Sequence, residues 1–95
     1  MIKFQHYDCD LQRSTYANGR VALQLRDAND GQPIVRATIN LADTEMDADE
    51  AAINHDFAQE IEGALVQAGV IAPHHRTVRP RGSWVDFRIC RLIGE

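Results

Sequence analysis

Two stretches of alternating polarity, separated by a cluster of turn residues, constrain this chain more than any other feature. Arg20–Arg26 puts Val21, Leu23 and Leu25 on one side and Arg20, Gln24 and Arg26 on the other. Ile34–Leu41 repeats the pattern, with Val35, Ala37, Ile39 and Leu41 against Arg36, Thr38 and Asn40. A two-residue period suits extended backbone and would scatter apolar groups around a helix. Between the runs lies Asp27-Ala-Asn-Asp-Gly-Gln-Pro33, rich in residues that favour turns. The pair is therefore expected to form an antiparallel hairpin with one buried and one wet face.

Met1–Tyr7 reads as a preceding strand, with Ile2, Phe4 and His6 on one side, and Asp8–Gly19 as a polar connection ending in the turn signal Asn18-Gly19. Ala42–Glu50 is an acidic loop with room for a helical turn near Asp47–Ala51, and Ala51–His55 suits a short strand or a helix lead-in. Phe57, Ile61, Ala64, Leu65 and Ala68 recur at helical spacing, with Glu60 and Glu62 off that stripe. Asp56 and Gln59 have capping-box spacing at its start, and Gly69 suits a left-handed stop. Pro73–Gly82 is a basic loop, and Ser83–Leu92 a last strand with Val85, Phe87 and Ile89 as its core face. The economical solution is a single α+β domain over residues 1–95, an antiparallel sheet of about four or five strands with one helix on one face.

Ninety-five residues suffice for one modest core. No apolar run approaches the roughly 20 residues that span a bilayer, and no charged-then-apolar leader opens the sequence. A cytoplasmic protein without membrane contact is expected. Cys9 and Cys90 lie near the two ends without a CxxC pair; idle buried thiols suit that compartment, and a disulfide between end strands stays open.

The net charge of −4 averages two opposite blocks. Residues 37–75 contain no Lys or Arg but eight acids: Asp43, Glu45, Asp47, Asp49, Glu50, Asp56, Glu60 and Glu62. Residues 76–95 reverse the sign with Arg76, Arg79, Arg81, Arg88 and Arg91. Such an acidic block would steer toward basic clefts built for phosphates. The arginines, with Trp84 and Phe87 among them, offer a second reading as a grip for nucleic acid, although Phe87 belongs to the core alternation and the acidic total disfavours it. A third reading joins the blocks between two copies of the chain.

Chemistry-bearing patterns are sparse. His74-His75 is an adjacent pair read as solvent-facing loop residues, and no histidine or cysteine spacing matches a metal site. His6 and Cys9 are the one close imidazole–thiol pair, without the context of a triad. There is no phosphate-cradling glycine loop. No catalytic residue, metal or cofactor is assigned, and a non-enzymatic role is expected.

Tyr16-Ala-Asn-Gly-Arg-Val-Ala-Leu-Gln-Leu25, Gly31-Gln-Pro33, Ala37-Thr-Ile-Asn-Leu41, Asn54-His-Asp-Phe, Gly63-Ala-Leu, Ala68-Gly-Val-Ile71, Arg76-Thr-Val and Cys90-Arg-Leu92 form a longer pattern. It resembles a family of small proteins of unknown function carried by bacterial plasmids, integrative elements and phages, over about Tyr16 to Leu92. The resemblance implies a mobile-element setting but no biochemical role. Small acidic proteins in that setting are often inhibitors of host defence, of the anti-CRISPR or antirestriction kind, some by mimicking DNA. By that analogy the acidic block would occupy a basic site on a host nucleic-acid-processing protein or complex.

Overall fold

The computed structural model describes residues 2–93. Met1, placed at the head of the first strand, lies outside the described residues, as does Glu95 of the terminal charge block. Strands β1 (Ile2–Phe4), β2 (Tyr7–Thr15), β3 (Val21–Asp27) and β4 (Pro33–Arg36) form an antiparallel meander in that order. The expected first strand is broken at Gln5-His6, where Gln5 takes φ 54° and Phe4 comes to pair with Tyr7. The polar connection is mostly strand: β2 pairs with β3 from Cys9–Asp27 to Thr15–Val21. Its Tyr7, Cys9 and Leu11 join the core, while its far end projects beyond the core and is polar on both sides.

The second alternating run turns a corner. Ala37, fully buried, donates its N–H to the Leu23 carbonyl and accepts from Asn54 N, both at 2.9 Å. The chain thereby leaves β3 and enters a second sheet as β5 (Thr38–Ile39). Thr38, expected on the wet face, is buried at this corner, where its Oγ1 accepts from Leu23 N at 3.0 Å and lies 3.1 Å from Tyr16 Oη. The second sheet continues through β6 (Glu50–Ile53), helix α1 (Ala58–Gln67), β7 (Arg76–Val78) and β8 (Phe87–Arg91), in spatial order β5-β6-β8-β7, all antiparallel. The α+β class holds, with one helix and antiparallel strands shared between two four-stranded sheets.

Residues of the second sheet pack on both of its sides, which is why every residue of β6 is buried. Ile53 and Cys90 meet Ile61, Ala64 and Leu65 of α1 together with Leu23 and Leu25 of the first sheet. Ala52, Phe87 and Ile89 form a smaller cluster with Leu41, covered by Met46, Val78 and Val85. The helix cap falls one residue later than expected. Phe57 occupies the N-cap at φ 61°, without a side-chain cap, so the Asp56–Gln59 box does not form. Phe57 is also 54% exposed rather than core, touching Phe4 edge-on. Gly69 ends the helix as expected, at φ 77°. No helix of the described residues is long and apolar enough to cross a membrane.

Candidate functional site

Sheet order brings the acidic and arginine blocks together within one molecule. β8 lies between β6 and β7, so Glu50, Arg91 and Arg76 share one side of the sheet. The buried Glu50 carboxylate accepts from Asp47 N at 2.9 Å, Arg76 Nη2 at 3.0 Å, Arg76 Nε at 3.3 Å and His75 Nε2 at 2.6 Å. These donors fill its acceptor sites and leave it no role as a base. The Arg76 guanidinium holds the Glu50 carboxyl down at about 2 against the opposing effect of burial, with help from Asp47 N and His75. Arg91 continues the network to Asp49 at 2.7 Å and Asp47 at 3.2 Å. Glu45, Met46, Asp47, Glu50, His75, Arg76 and Arg91 line an open depression of about 650 Å³.

The opposite side of the sheet carries a second such centre. Glu62 of α1, off the expected apolar stripe yet buried, accepts from His74 N at 2.7 Å and Arg88 Nη1 at 2.7 Å, with His74 Nδ1 at 2.8 Å. Burial pushes this carboxyl up, but the His74 and Arg88 bonds together outweigh it and hold the group low. His74 and His75 are exposed loop residues as expected, yet each ring bonds a buried carboxylate. The two rings reach carboxylates on opposite sides of the second sheet. Because an ionised carboxylate only accepts, Nδ1 of His74 and Nε2 of His75 carry the protons.

The remaining acids make no ion pair with these arginines, although the Glu45 carbonyl accepts from Arg76 Nη2 at 3.2 Å. Asp43, Glu45, Asp56 and Glu60 are exposed; Asp56 lies 3.3 Å from His55 Nε2, and Glu60 opens the helix. The eight-residue negative face is thus divided: Glu50 and Glu62 are buried, Asp47 and Asp49 are paired, and four carboxylates stay outside the arginine network. The arginine cluster is divided likewise. Arg76, Arg88 and Arg91 are taken up internally, and Arg79 pairs with Asp86 at 2.9 Å. Arg81 and Trp84 occupy the β7–β8 loop and face solvent, Trp84 at 93% exposure. That loop is shaped by its own bonds: Ser83 N to Pro80 O at 2.9 Å, Val85 N to Ser83 Oγ at 3.1 Å, and Gly82 at φ 83°. Val85 of this loop and Met46 of the acidic loop pack against the same smaller apolar cluster.

The thiols are buried and free. Burial pushes the Cys90 thiol up to about 12, with Glu62 adding to the shift. Burial also raises Cys9, followed by Asp27, Asp8 and Asp10. Neither is poised as a nucleophile, and His6 stacks on Tyr7 with ring centroids 4.3 Å apart. Comparison with protein-family models, curated proteins and solved structures found no match.

Proposed function

We propose that this chain is a non-enzymatic, protein-binding module whose contact surface joins the Trp84 loop to the acidic loop at residues 42–49. The observation that carries this reading is the 93% exposure of Trp84 on a loop held in shape by its own hydrogen bonds. Exposing an indole to water is unfavourable, and burying one against a partner removes about 150–250 Å² of surface. Trp and Arg are the residue types that most often dominate binding energy at interfaces, and Arg81 shares this loop. Residues 37–93 carry nine acids against five arginines, so the second sheet and helix keep a negative balance. That balance fits a basic protein surface and repels a phosphate backbone.

In the mobile-element setting implied by the resemblance, the partner would be a basic host protein or complex that processes nucleic acid in the cytoplasm. The module would then act as an inhibitor of the anti-CRISPR or antirestriction kind. The test is capture from nuclease-treated bacterial lysate at about 0.1 and 0.5 M salt, which brackets strong screening. A basic nucleic-acid-binding protein should be retained at the lower salt, be displaced by added DNA, and be lost with Trp84→Ala or Asp43→Lys/Glu45→Lys. Capture indifferent to all of these changes sinks the reading.

A second reading rests on Arg81, which has no carboxylate partner among the described residues and shares the loop with Trp84. There the pair would stack on and grip a single-stranded nucleic acid. Retention of an oligonucleotide by the purified protein, abolished by Arg81→Ala, would favour it. Arg76, Arg79, Arg88 and Arg91, already ion-paired, would add little to such a grip.

A further inference from the structure

The wet face of the first sheet carries a differently built surface. Gln12, Gln24 and Arg36 form one cross-strand row, Ser14 and Ala22 sit opposite each other beside it, and Arg26, two positions along β3 from Gln24, lies just past a β-bulge in the β3–β4 ladder. Short side chains at Ser14 and Ala22 leave an open concavity of about 280 Å³, walled by Gln12, Gln24, Arg26, Arg36 and Tyr16. We propose that this concavity is a binding site for a small oxyanion ligand, phosphate or carboxylate in chemistry.

The arrangement of donors carries the proposal. Arg26 is fixed in place, its Nε donating to Gln12 Oε1 and its Nη1 to Gly31 O at 2.9 Å, which leaves its Nη2 group available. That bond uses the Gln12 carbonyl oxygen, so the Gln12 amide nitrogen remains to donate. Arg36 has no ion pair among the described residues and faces the neutral Gln24. Arg26 and Arg36 both line the concavity, so both guanidiniums can close on one ligand. Their planar forks match carboxylate and phosphate oxygens.

A merely solvated sheet face would set acids against these arginines, and acids are abundant: the chain has 14 against 10 basic residues. On this face Asp8 is committed to Lys3 at 2.6 Å. Asp10 stands opposite Arg26 in the ladder yet makes no ion pair with it and does not line the concavity. The arginines of the second sheet, by contrast, are met by Glu50, Glu62, Asp47 and Asp49. The small volume, near the lower end of about 300–1,000 Å³ for ligand sites, suits a phosphate monoester or small diacid rather than a polymer.

The test is NMR titration of the ¹⁵N-labelled protein with inorganic phosphate and, separately, with succinate, against chloride at matched ionic strength. Saturable shifts are expected at the amides of Gln12, Ser14, Gln24 and Arg36. Saturation by phosphate assigns a phosphoryl ligand, and saturation by succinate a carboxylate. Arg36→Gln should weaken binding roughly tenfold, as for loss of one charge-assisted hydrogen bond. Arg26→Gln gives an independent second loss, and Arg13→Gln, on the other face of β2, should leave binding unchanged. The Arg36 side chain holds no other element in place, so the variant's spectrum should match the wild type away from the groove. Shifts that follow chloride, or an Arg36→Gln affinity equal to the wild type, overturn the proposal.

Discussion

Glu50 and Arg76 are joined across an intervening strand: the carboxylate on β6 reaches over β8 to the guanidinium on β7, with Oε1 to Nη2 at 3.0 Å and Oε2 to Nε at 3.3 Å. A two-point contact of this kind fixes orientation as well as distance. It ties the short edge strand β7, which has three residues and two exposed positions, to the buried middle of the sheet. Glu50→Gln keeps the shape but removes the charge that Arg76 and His75 address. We expect a loss of about 1.5–3 kcal/mol, the range for hydrogen bonds to charged groups, measured by urea unfolding at neutral pH. An unchanged midpoint would mean that β7 is held by its ladder with β8 alone.

The same pair sets a pH dependence. The folded Glu50 carboxyl is held at about 2, below its ordinary value of 4.5, and Glu62 is shifted in the same direction. A depressed carboxyl contributes stability that is fully present above its unfolded pKa and is lost as pH falls through the folded one. Stability should therefore decline between pH 4.5 and about 2. Across that window the gap between wild type and Glu50→Gln should narrow, because protonation makes the two chains alike. Unfolding midpoints at neutral pH and at about pH 3 check this, and a gap that widens on acidification contradicts it.

Burial makes the thiols silent. Cys9 and Cys90 are each fully buried, and the Cys90 thiol is pushed up to about 12. Since the thiolate is the reacting species, neither should be modified by a thiol reagent in the native protein at neutral pH. Both should react once urea unfolds the chain, at the rate of unfolding. Fast native labelling at either position would show that the core opens locally there.

Phe57 and Leu65 lie on the same expected helix stripe but should respond differently to truncation. Leu65 is fully buried among Ile61 and Ile53, and Leu65→Ala should cost about 2–5 kcal/mol. Phe57 is 54% exposed and holds φ 61°, a backbone region that costs a bulky residue energy. Phe57→Gly relieves that strain while losing the edge contact with Phe4, so a net change within about 1 kcal/mol is expected. Thermal unfolding of both variants separates them.

Periodicity made some elements legible and left others hidden. Val21, Leu23 and Leu25 announced a strand because that strand has one wet face, and Ile61, Ala64 and Leu65 announced a helix for the same reason. β2 carried a weaker signal, Tyr7, Cys9 and Leu11 alternating with acids and Gln12, which its polar far end obscured. The corner at Ala37 leaves no mark in polarity, since it depends on Leu23 and Asn54 meeting the same residue from two sheets. The charge blocks were visible, but their mutual pairing was not. Glu50 meets Arg76 only because β8 inserts between β6 and β7, an order that local patterns do not encode.

Trp84 is the sole tryptophan, so its fluorescence reports directly on the surface proposed to bind a partner. At 93% exposure its emission should resemble that of indole in water and be quenched freely by acrylamide or iodide. Trp84→Ala should leave thermal stability within about 0.5 kcal/mol of wild type, as surface substitutions away from buried networks do. The loop should survive the change, because Ser83, Pro80 and Val85 supply its hydrogen bonds and Arg79 pairs with Asp86. Addition of a true partner should shift the emission to shorter wavelength and protect the ring from quencher. A large destabilisation in Trp84→Ala would instead make the indole part of the fold, and a complex that leaves it quenchable would place the interface elsewhere.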